Sequence, residues 1–315
     1  MHLEIQKQGK TRKFYLAHAF REDGKVKKIR RYLGADLTEQ KLKELRARAE
    51  ELFSEQIRAY LGIKDPLKTA ISSKELQLIK RLQAKGQIKI GHLSEKDWEK
   101  FTELFTYNTN AIEGSTISFT EVEGIIQKNK WPNKPKEEIS ETYGVAEAIK
   151  YIRETKEHIS VPLILELHRI VFKNSKPFAG RFREKGTEVV IQDRFGNIAH
   201  RGAPSRMVKG LLNELIKWYE QNKKKYPPLL LSAIVHNQFE NIHPFQDGNG
   251  RVGRLLLNNI LLKNKMPPLN IGLENRQAYY SAIQAYQNHG NIRPMIEFMI
   301  KEYRNLKKKM KDNTV

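Results

Sequence analysis

Residues 241–254, NIHPFQDGNGRVGR, decide how this chain is interpreted, because they interrupt an otherwise leucine-rich region. The stretch before them, PLLLSAIVHNQFE (228–240), and the stretch that overlaps their end, RVGRLLLNNILLK (251–263), both have the apolar pattern of a helix. The sequence therefore predicts two helices joined by a loop crowded with glycine, charged residues and a histidine. We call residues 241–254 the signature loop.

The second half of the signature loop has the residues of a phosphate site. Gly248 and Gly250 allow close backbone approach or positive φ, and with Asn249 they present backbone N–H groups where a helix begins. A helix N-terminus carries partial positive charge and attracts anions. We call these three residues the anion nest. Arg251 and Arg254 are three residues apart, which predicts that they lie on one helix face and converge on the same place.

The first half of the signature loop adds a metal ligand and a base. Asp247 would repel a phosphate unless a cation intervened, and Mg²⁺ typically takes one or two carboxylates together with phosphate oxygens. His243, with an ordinary pKa of about 6.5, suits a general base near neutral pH. Phe245 is predicted to be an anchor in the core. Each residue has an ordinary structural explanation alone, but their combination in one loop predicts attack on a nucleotide phosphate.

The segment HPFQDGNGRVGR resembles, at every fixed position, the motif HPFx(D/E)GN(G/K)RxxR of the Fic family of protein-modifying nucleotidyltransferases. The resemblance implies a mainly α Fic fold and transfer of AMP from ATP to a hydroxyl side chain, with Mg²⁺ as cofactor. It also implies roles for the loop residues. His243 would be the base, and Asp247 would be the metal ligand. The anion nest would consist of Gly248, Asn249 and Gly250. The β- and γ-phosphates would be bound by Arg251 and Arg254.

The resemblance extends over roughly residues 95–305. TNAIEG (109–114) is similar to the inhibitory motif (S/T)xxxE(G/N), placed before the core as in class II members. AGRFR (179–183) and the hairpin after it are similar to the flap region, which would present an unknown protein target. NRQAYYSAIQAYQNHGNIRPMIEF (275–298) is similar to the adenine-side segment. The weaker candidates that follow are Val190 and Ile191 for the flap, and Tyr279, Tyr280 and Gln287 or Asn288 for the adenine pocket, with helix core as the alternative for the tyrosines.

Glu113 ends a helix predicted to begin at the N-cap Ser94. From that position its carboxylate is predicted to reach Arg254 in a bidentate pair, removing the γ-phosphate clamp and placing negative charge where ATP brings its own. We call Glu113 and Arg254 the inhibitory pair. The alternative for Glu113 is a solvated residue at a helix end. A capping box of Ser118 and Glu121 predicts the next helix, about 119–128.

Two regions have strand patterns. Residues 3–33 predict a three-stranded meander with its turn at Asp23 and Gly24, and TEVVIQDRFGNIAH (187–200) predicts an isolated hairpin turning at 193–197. We call the latter the flap hairpin; its unpaired edge suits capture of an extended peptide. The meander carries ten lysines and arginines against three acidic residues, typical of a solvated face or of a docking surface for nucleic acid or an acidic protein.

The predicted domains are a basic β-meander (1–35), connector helices (36–93), a Fic domain (94–305) that includes the inhibitory helix (about 94–114), and a basic tail (306–315). The connector begins with a helical stripe of Leu42, Leu45, Ala49, Leu52 and Ile57. The fold class is thus mainly α, with a small β-meander and a β-hairpin flap.

Composition narrows the remaining choices. The formal charge is +21, from 57 Lys and Arg against 36 Asp and Glu, which favours a phosphate-bearing partner. There is no cysteine, and no apolar run suits a signal peptide or membrane span, so we expect a soluble cytoplasmic protein. The favoured function is an adenylyltransferase inhibited by Glu113, with self-modification among its outcomes. The alternatives are a de-AMPylase that uses the same site and a nucleic-acid-binding protein that uses the meander.

Overall fold

The computed structural model describes residues 1–22, 25–64, 66–67, 71–86, 93–184, 186–187, 189–192 and 198–311. The chain divides into two compact units, Met1–Leu61 and Gly62–Val315. The predicted turn residues Asp23 and Gly24, and residues 193–197 of the flap hairpin, lie outside the described residues. No helix in the described part of the chain is both long enough and apolar enough to span a membrane.

The first unit contains the predicted meander. Strands β1 (His2–Gln8), β2 (Thr11–Glu22) and β3 (Lys25–Ala35) form an antiparallel sheet in the order β1-β2-β3, with an irregularity between Phe14 and Tyr15. Helix α1 (Glu39–Lys64) follows, and Ala49 and Phe53 from it are buried with Leu16 of β2. The β-meander prediction is confirmed, while its role in binding nucleic acid stays a prediction.

The second unit is mainly helical, as predicted. Its helices before the hairpin are α2 (Ser73–Gly86), α3 (Glu95–Ile112), α4 (Phe119–Lys128), α5 (Lys136–Glu154) and α6 (Val161–Phe172). The hairpin consists of β4 (Val190–Gln192) and β5 (Ile198–Arg201). The helices after it are α7 (Val208–Asn222), α8 (Pro228–Ile242), α9 (Asn249–Lys263), α10 (Arg276–His289) and α11 (Arg293–Lys311).

Helices α8 and α9 form the centre of this unit. Every residue of α8 from Leu229 to Glu240 is buried, and so is every residue of α9 from Arg251 to Leu261. A helix that is covered on all sides needs apolar residues all round, which explains why these two segments lack the polar stripe of a surface helix. Residues of α10 and α11 are buried in one apolar cluster with residues of α8 and α9. The signature loop joins α8 to α9 and is therefore held between two buried helices.

The helix that carries Glu113 is defined at both ends by its own residues. At its start, Ser94 and Asp97 form a capping box, each side chain bonding the other residue's backbone N–H. At its end, the backbone N–H of Glu113 donates to the carbonyl of Asn110 (3.0 Å), and Gly114 adopts a positive φ of 98° that stops the helix. Glu113 is thereby held at a fixed helix terminus.

Candidate functional site

His243 ends α8 in an unusual backbone conformation. Its φ of 52° and ψ of 63° lie in the left-handed region, and its N–H still donates to the carbonyl of Phe239 (2.9 Å). The side chain is mostly buried, and burial, with His200 and Arg183 nearby, lowers the pKa of His243 to about 4. The imidazole is therefore neutral at physiological pH, as a proton acceptor must be.

A buried arginine fixes the backbone of His243. Arg183, from the AGRFR segment, donates its Nε to the carbonyl of His243 (2.8 Å) and Nη1 to the carbonyl of Thr187 (2.8 Å). Its Nη2 bonds the carbonyl of Ala203, and its backbone N–H bonds the carbonyl of Pro244 (3.1 Å). One guanidinium therefore ties the loop before the hairpin, the segment after it and the end of α8 into one rigid corner.

The anion nest is open because of its glycines. Gly248 has a φ of 83°, and a Cβ at this position would overlap the ring of Phe172. Asn249 uses its side chain to close the loop, since its Oδ1 accepts from the N–H of Phe245 and its Nδ2 donates to the Phe245 carbonyl, both at 2.9 Å. Phe245 is fully buried, as predicted. A Cβ on Gly250 would overlap the carboxylate of Glu113, so that carboxylate lies directly against the nest.

The inhibitory pair is formed, with a geometry that differs from the expected one. Nη2 of Arg254 donates to Oε1 of Glu113 at 2.7 Å, a single hydrogen bond where a bidentate pair was predicted. The reason is that the other donors are engaged. Nε donates to Oγ1 of Thr109 (2.7 Å), Nη2 also donates to the Thr109 carbonyl (3.0 Å), and Nη1 contacts the hydroxyl of Tyr279 (3.4 Å). Burial lowers the pKa of Arg254, but the nearby Glu113 carboxylate and Tyr279 raise it by more. The net pKa is above its ordinary value, so the guanidinium stays charged.

Arg251 and Arg254 bond different partners in this structure. Nη1 of Arg251 bonds Glu141 of α5, and its guanidinium lies 4.5 Å from the ring centre of Phe172. Arg251 is buried, with only 7% of its surface exposed. Each arginine of the signature loop thus has its own glutamate from another helix. The predicted role of Arg251 as a phosphate ligand stays a prediction.

Asp247 is a carboxylate surrounded by positive charge and a backbone donor. Lys176 lies 3.1 Å from Oδ2, and the N–H of Gly248 donates to Oδ1 at 2.6 Å. Burial raises the pKa of Asp247, but the charges of Arg251 and Lys176 and the Gly248 N–H outweigh it and hold the pKa below its ordinary value. The carboxylate is ionised and 44% exposed.

A metal here would need ligands from outside the protein. No cluster of three or more His, Asp or Glu residues able to hold a metal occurs among the described residues. One ionised carboxylate beside an anion nest fits Mg²⁺, which is commonly held by one or two carboxylates together with substrate phosphates.

The weaker candidates lie at two other places. Val190 is exposed on β4 and pairs with Arg201 across the hairpin; Ile191 pairs with His200, and its side chain lies outside the described residues. Tyr279 is 1% exposed within the α8–α11 core, a position that favours the core role, and Tyr280 donates to the carbonyl of Ile112 (3.3 Å). Gln287 is half-buried on α10. Their flap and adenine roles stay predictions.

Sequence reasoning missed His168 on α6. It accepts the N–H of Gly180 at Nδ1 (2.8 Å), so its proton is on Nε2, which donates to the carbonyl of Asp247 (3.2 Å). Its ring stacks on Phe245 at 3.9 Å. His168 therefore joins the AGRFR segment to the signature loop. A lone histidine in an apolar stretch gives no sequence signal for this role.

Comparisons with known proteins agree with the geometry. Residues 158–261 match the profile of the Fic/DOC family. Over 200 residues the chain is 36% identical to the protein adenylyltransferase Fic of Nematostella vectensis, covering 61% of this chain and 45% of that protein. Over 206 residues it is 34% identical to the protein adenylyltransferase fic-1 of Caenorhabditis elegans, covering 63% and 39%.

A solved structure extends the match. Residues 134–508 of Fic-1 from Caenorhabditis elegans superpose with a TM-score of 0.62 at 27% identity, covering 87% of this chain and 77% of that one. The helical domain around the signature loop has the Fic fold, and residues 158–261 within it match the Fic/DOC family. It spans less than half the length of the two curated relatives, and its α3, with Glu113, lies outside the region matched by the family profile.

Proposed function

We propose that this protein is a Mg²⁺-dependent protein adenylyltransferase that transfers AMP from ATP to a hydroxyl side chain and is inhibited in cis by Glu113. The observation that carries the proposal is the position of the Glu113 carboxylate, bonded to Arg254 and pressed against Gly250. A carboxylate that lies against an anion nest and bonds its arginine places negative charge where a phosphate would bind.

The residues of the site supply the parts of a nucleotidyl transfer. Neutral His243 takes the proton of the target hydroxyl, whose oxygen forms a bond to the α-phosphorus. The bond from that phosphorus to the bridging oxygen breaks, and pyrophosphate leaves with the electron pair. Arg254 and the anion nest bind the phosphates and stabilise the charge that develops on them. Asp247 would hold Mg²⁺, which when bound neutralises phosphate charge.

The energy of the inhibitory pair matches what a lock requires. Holding 99 molecules in 100 in the closed state requires about 2.7 kcal/mol, two tenfold steps of about 1.4 kcal/mol each. A charge-assisted hydrogen bond to a group as buried as Arg254 contributes about 1.5–3 kcal/mol. One ion pair, without any larger rearrangement, is therefore enough to keep most molecules inactive.

The flap hairpin suits recognition of an extended target segment. β4 and β5 pair only with each other among the described strands, so each has one edge with which no described strand pairs. A target strand that adds to such an edge is recognised mainly through its backbone. A Gly202 Cβ would come within 3.0 Å of the His243 Cβ, so the hairpin ends beside the proposed base.

The test is AMP transfer from α-labelled ATP with Mg²⁺ and a protein lysate, scored on targets and on the chain itself. We expect Glu113→Gly to increase labelling strongly over wild type, and Glu113→Gly with His243→Ala to abolish it. Glu99→Gly, on the exposed face of the same helix, is the matched control and should behave as wild type. Labelling that persists in the His243 double variant would remove His243 as the base.

A second candidate, removal of AMP from a modified protein, is favoured by one observation. The Glu113 side chain is 30% exposed, so a water molecule can reach the carboxylate beside the nest. Glu113 would then orient that water for attack on the phosphodiester. Incubating an AMP-modified target with wild type and with Glu113→Gln separates the two functions, since absence of AMP release by wild type excludes the hydrolase.

A further inference from the structure

Glu240, on α8, is a buried carboxyl that the proposed function leaves unused. It is 6% exposed, and its Oε1 has no hydrogen-bond partner among the described residues. Burying a carboxyl without full hydrogen bonding is unfavourable, and an unsatisfied buried polar group in a native fold calls for an explanation.

The facing helix makes room for this carboxyl. The Fic motif leaves the two positions before its last arginine open, and this chain has Val252 and Gly253 there. A Cβ on Gly253 would lie 2.5 Å from Oε1 of Glu240, so any larger residue would displace the carboxyl. Glycine in a helix interior lowers helix stability relative to alanine. The glycine and the carboxyl thus form a matched pair across α8 and α9.

The carboxyl lies on one side of the proposed base. Nδ1 of His243 is 4.0 Å from Oε2 of Glu240 and 3.4 Å from the Glu240 backbone carbonyl. The backbone carbonyl is an acceptor only, and Oε2 is an acceptor whenever the carboxyl proton is not on it, so both favour the imidazole tautomer with its proton on Nδ1. That tautomer leaves Nε2 with a free electron pair, which general-base catalysis requires.

We propose that Glu240 is a positioning residue for His243: it holds the imidazole in the Nδ1–H tautomer so that Nε2 is free to take the proton of the target hydroxyl. The inference rests on the proposed function, in which His243 is the base. When Nε2 takes that proton, the imidazolium keeps its other proton on Nδ1, facing Glu240. Glu240 itself touches neither substrate nor nucleotide.

The charges around Glu240 indicate that an uncharged carboxyl performs this role. Burial raises the pKa of Glu240 to about 8; Arg254 opposes this rise and Glu113 reinforces it. The other titratable groups that face Glu240 or His243 are His236 on α8, Tyr279 on α10, His200 on β5 and Arg183. A neutral carboxyl still accepts a hydrogen bond through its carbonyl oxygen.

Two substitutions of similar shape separate positioning from packing. Glu240→Gln keeps an oxygen acceptor. Glu240→Met keeps a similar side-chain volume but has no oxygen acceptor. In the Glu113→Gly background we expect Glu240→Met to lower kcat for AMP transfer by at least about tenfold, with KM for ATP unchanged. This loss should be smaller than the roughly 10²–10⁴-fold loss expected when the general base itself is removed. Glu240→Gln should stay within about twofold of its parent. The urea midpoint of the Met variant should not fall, because it removes an unsatisfied buried group.

A readout independent of transfer keeps the inference separate from the proposed function. The ¹⁵N chemical shifts of His243, assigned by the signal lost in His243→Ala, report its tautomer directly. We expect Nδ1–H in wild type and Glu240→Gln, and a gain of Nε2–H in Glu240→Met. Glu103→Met, at another buried carboxyl that bonds Gln127 on α4, is the control and should leave the tautomer unchanged. An unchanged tautomer in Glu240→Met would overturn the inference, whether or not any variant transfers AMP.

Discussion

Replacing Glu113 by glycine should activate the protein and destabilise it at the same time. The substitution leaves the Arg254 guanidinium, 2% exposed, without its only carboxylate partner among the described residues. At 2.7 Å and an effective dielectric of about 20, the lost attraction is at most about 6 kcal/mol. Glu113 is partly exposed, and Arg254 keeps its bonds to Thr109 and Tyr279, so we expect a loss of about 2 kcal/mol in the free energy of unfolding.

The assay is urea unfolding followed by circular dichroism, for wild type and Glu113→Gly. The slope with urea should be the same in both, so that the change in midpoint reports stability alone. Added Mg²⁺-ATP should restore the stability of Glu113→Gly, because a ligand that binds only the folded state stabilises it by mass action. Wild type should gain much less at the same concentration, since Glu113 bonds Arg254 and lies against Gly250.

Glu99→Gly is the control for the intrinsic effect of glycine. Glu99 is an exposed residue inside α3, where glycine costs about 1 kcal/mol, whereas Glu113 occupies the C-cap, where glycine costs less. If Glu113→Gly is destabilised no more than Glu99→Gly, the ion pair adds no net stability. The account of Glu113 as a held lock would then be wrong.

Two further predictions concern stability. Gly248→Ala should lower the free energy of unfolding by about 3 kcal/mol, because φ is 83° and its Cβ would overlap Phe172; the matched Gly210→Ala, with open space at its Cβ, should be neutral or slightly stabilising in the same urea experiment. Acid should also destabilise the protein: burial lowers the pKa of His168 to about 4 and of His236 to about 3, so the unfolded chain alone binds these protons as pH falls below about 6.5. These two histidines together should remove about 4 kcal/mol between pH 7 and pH 5, and a flat pH profile over that range would contradict the burial of neutral histidines.

Local patterns predicted the elements that carry the site. The capping residues Ser94 and Ser118 gave the starts of α3 and α4, and the apolar runs gave α8 and α9, because these signals depend on neighbouring residues. The pairing of Glu113 with Arg254 was also predicted, although 141 positions separate them, because two motifs with linked roles occur in one chain.

The partners that orient these residues were not predictable in the same way. Glu141 bonds Arg251 across 110 positions, and no motif connects α5 to the signature loop. The bidentate geometry expected for the inhibitory pair was wrong because Thr109 takes two of the Arg254 donor bonds, a detail of how α3 packs on α9. Such contacts depend on helix packing in three dimensions, which residue spacing along one helix does not encode.

The most direct test of the central claim is the affinity of wild type and Glu113→Gly for ATP and for AMP, measured by calorimetry with Mg²⁺. If Glu113 excludes the outer phosphates by holding Arg254 and covering the nest, Glu113→Gly should bind ATP about 100-fold more tightly than wild type. Its affinity for AMP, which lacks those phosphates, should stay nearly the same. Equal ATP affinities in the two proteins, or an equal gain for AMP, would contradict the account.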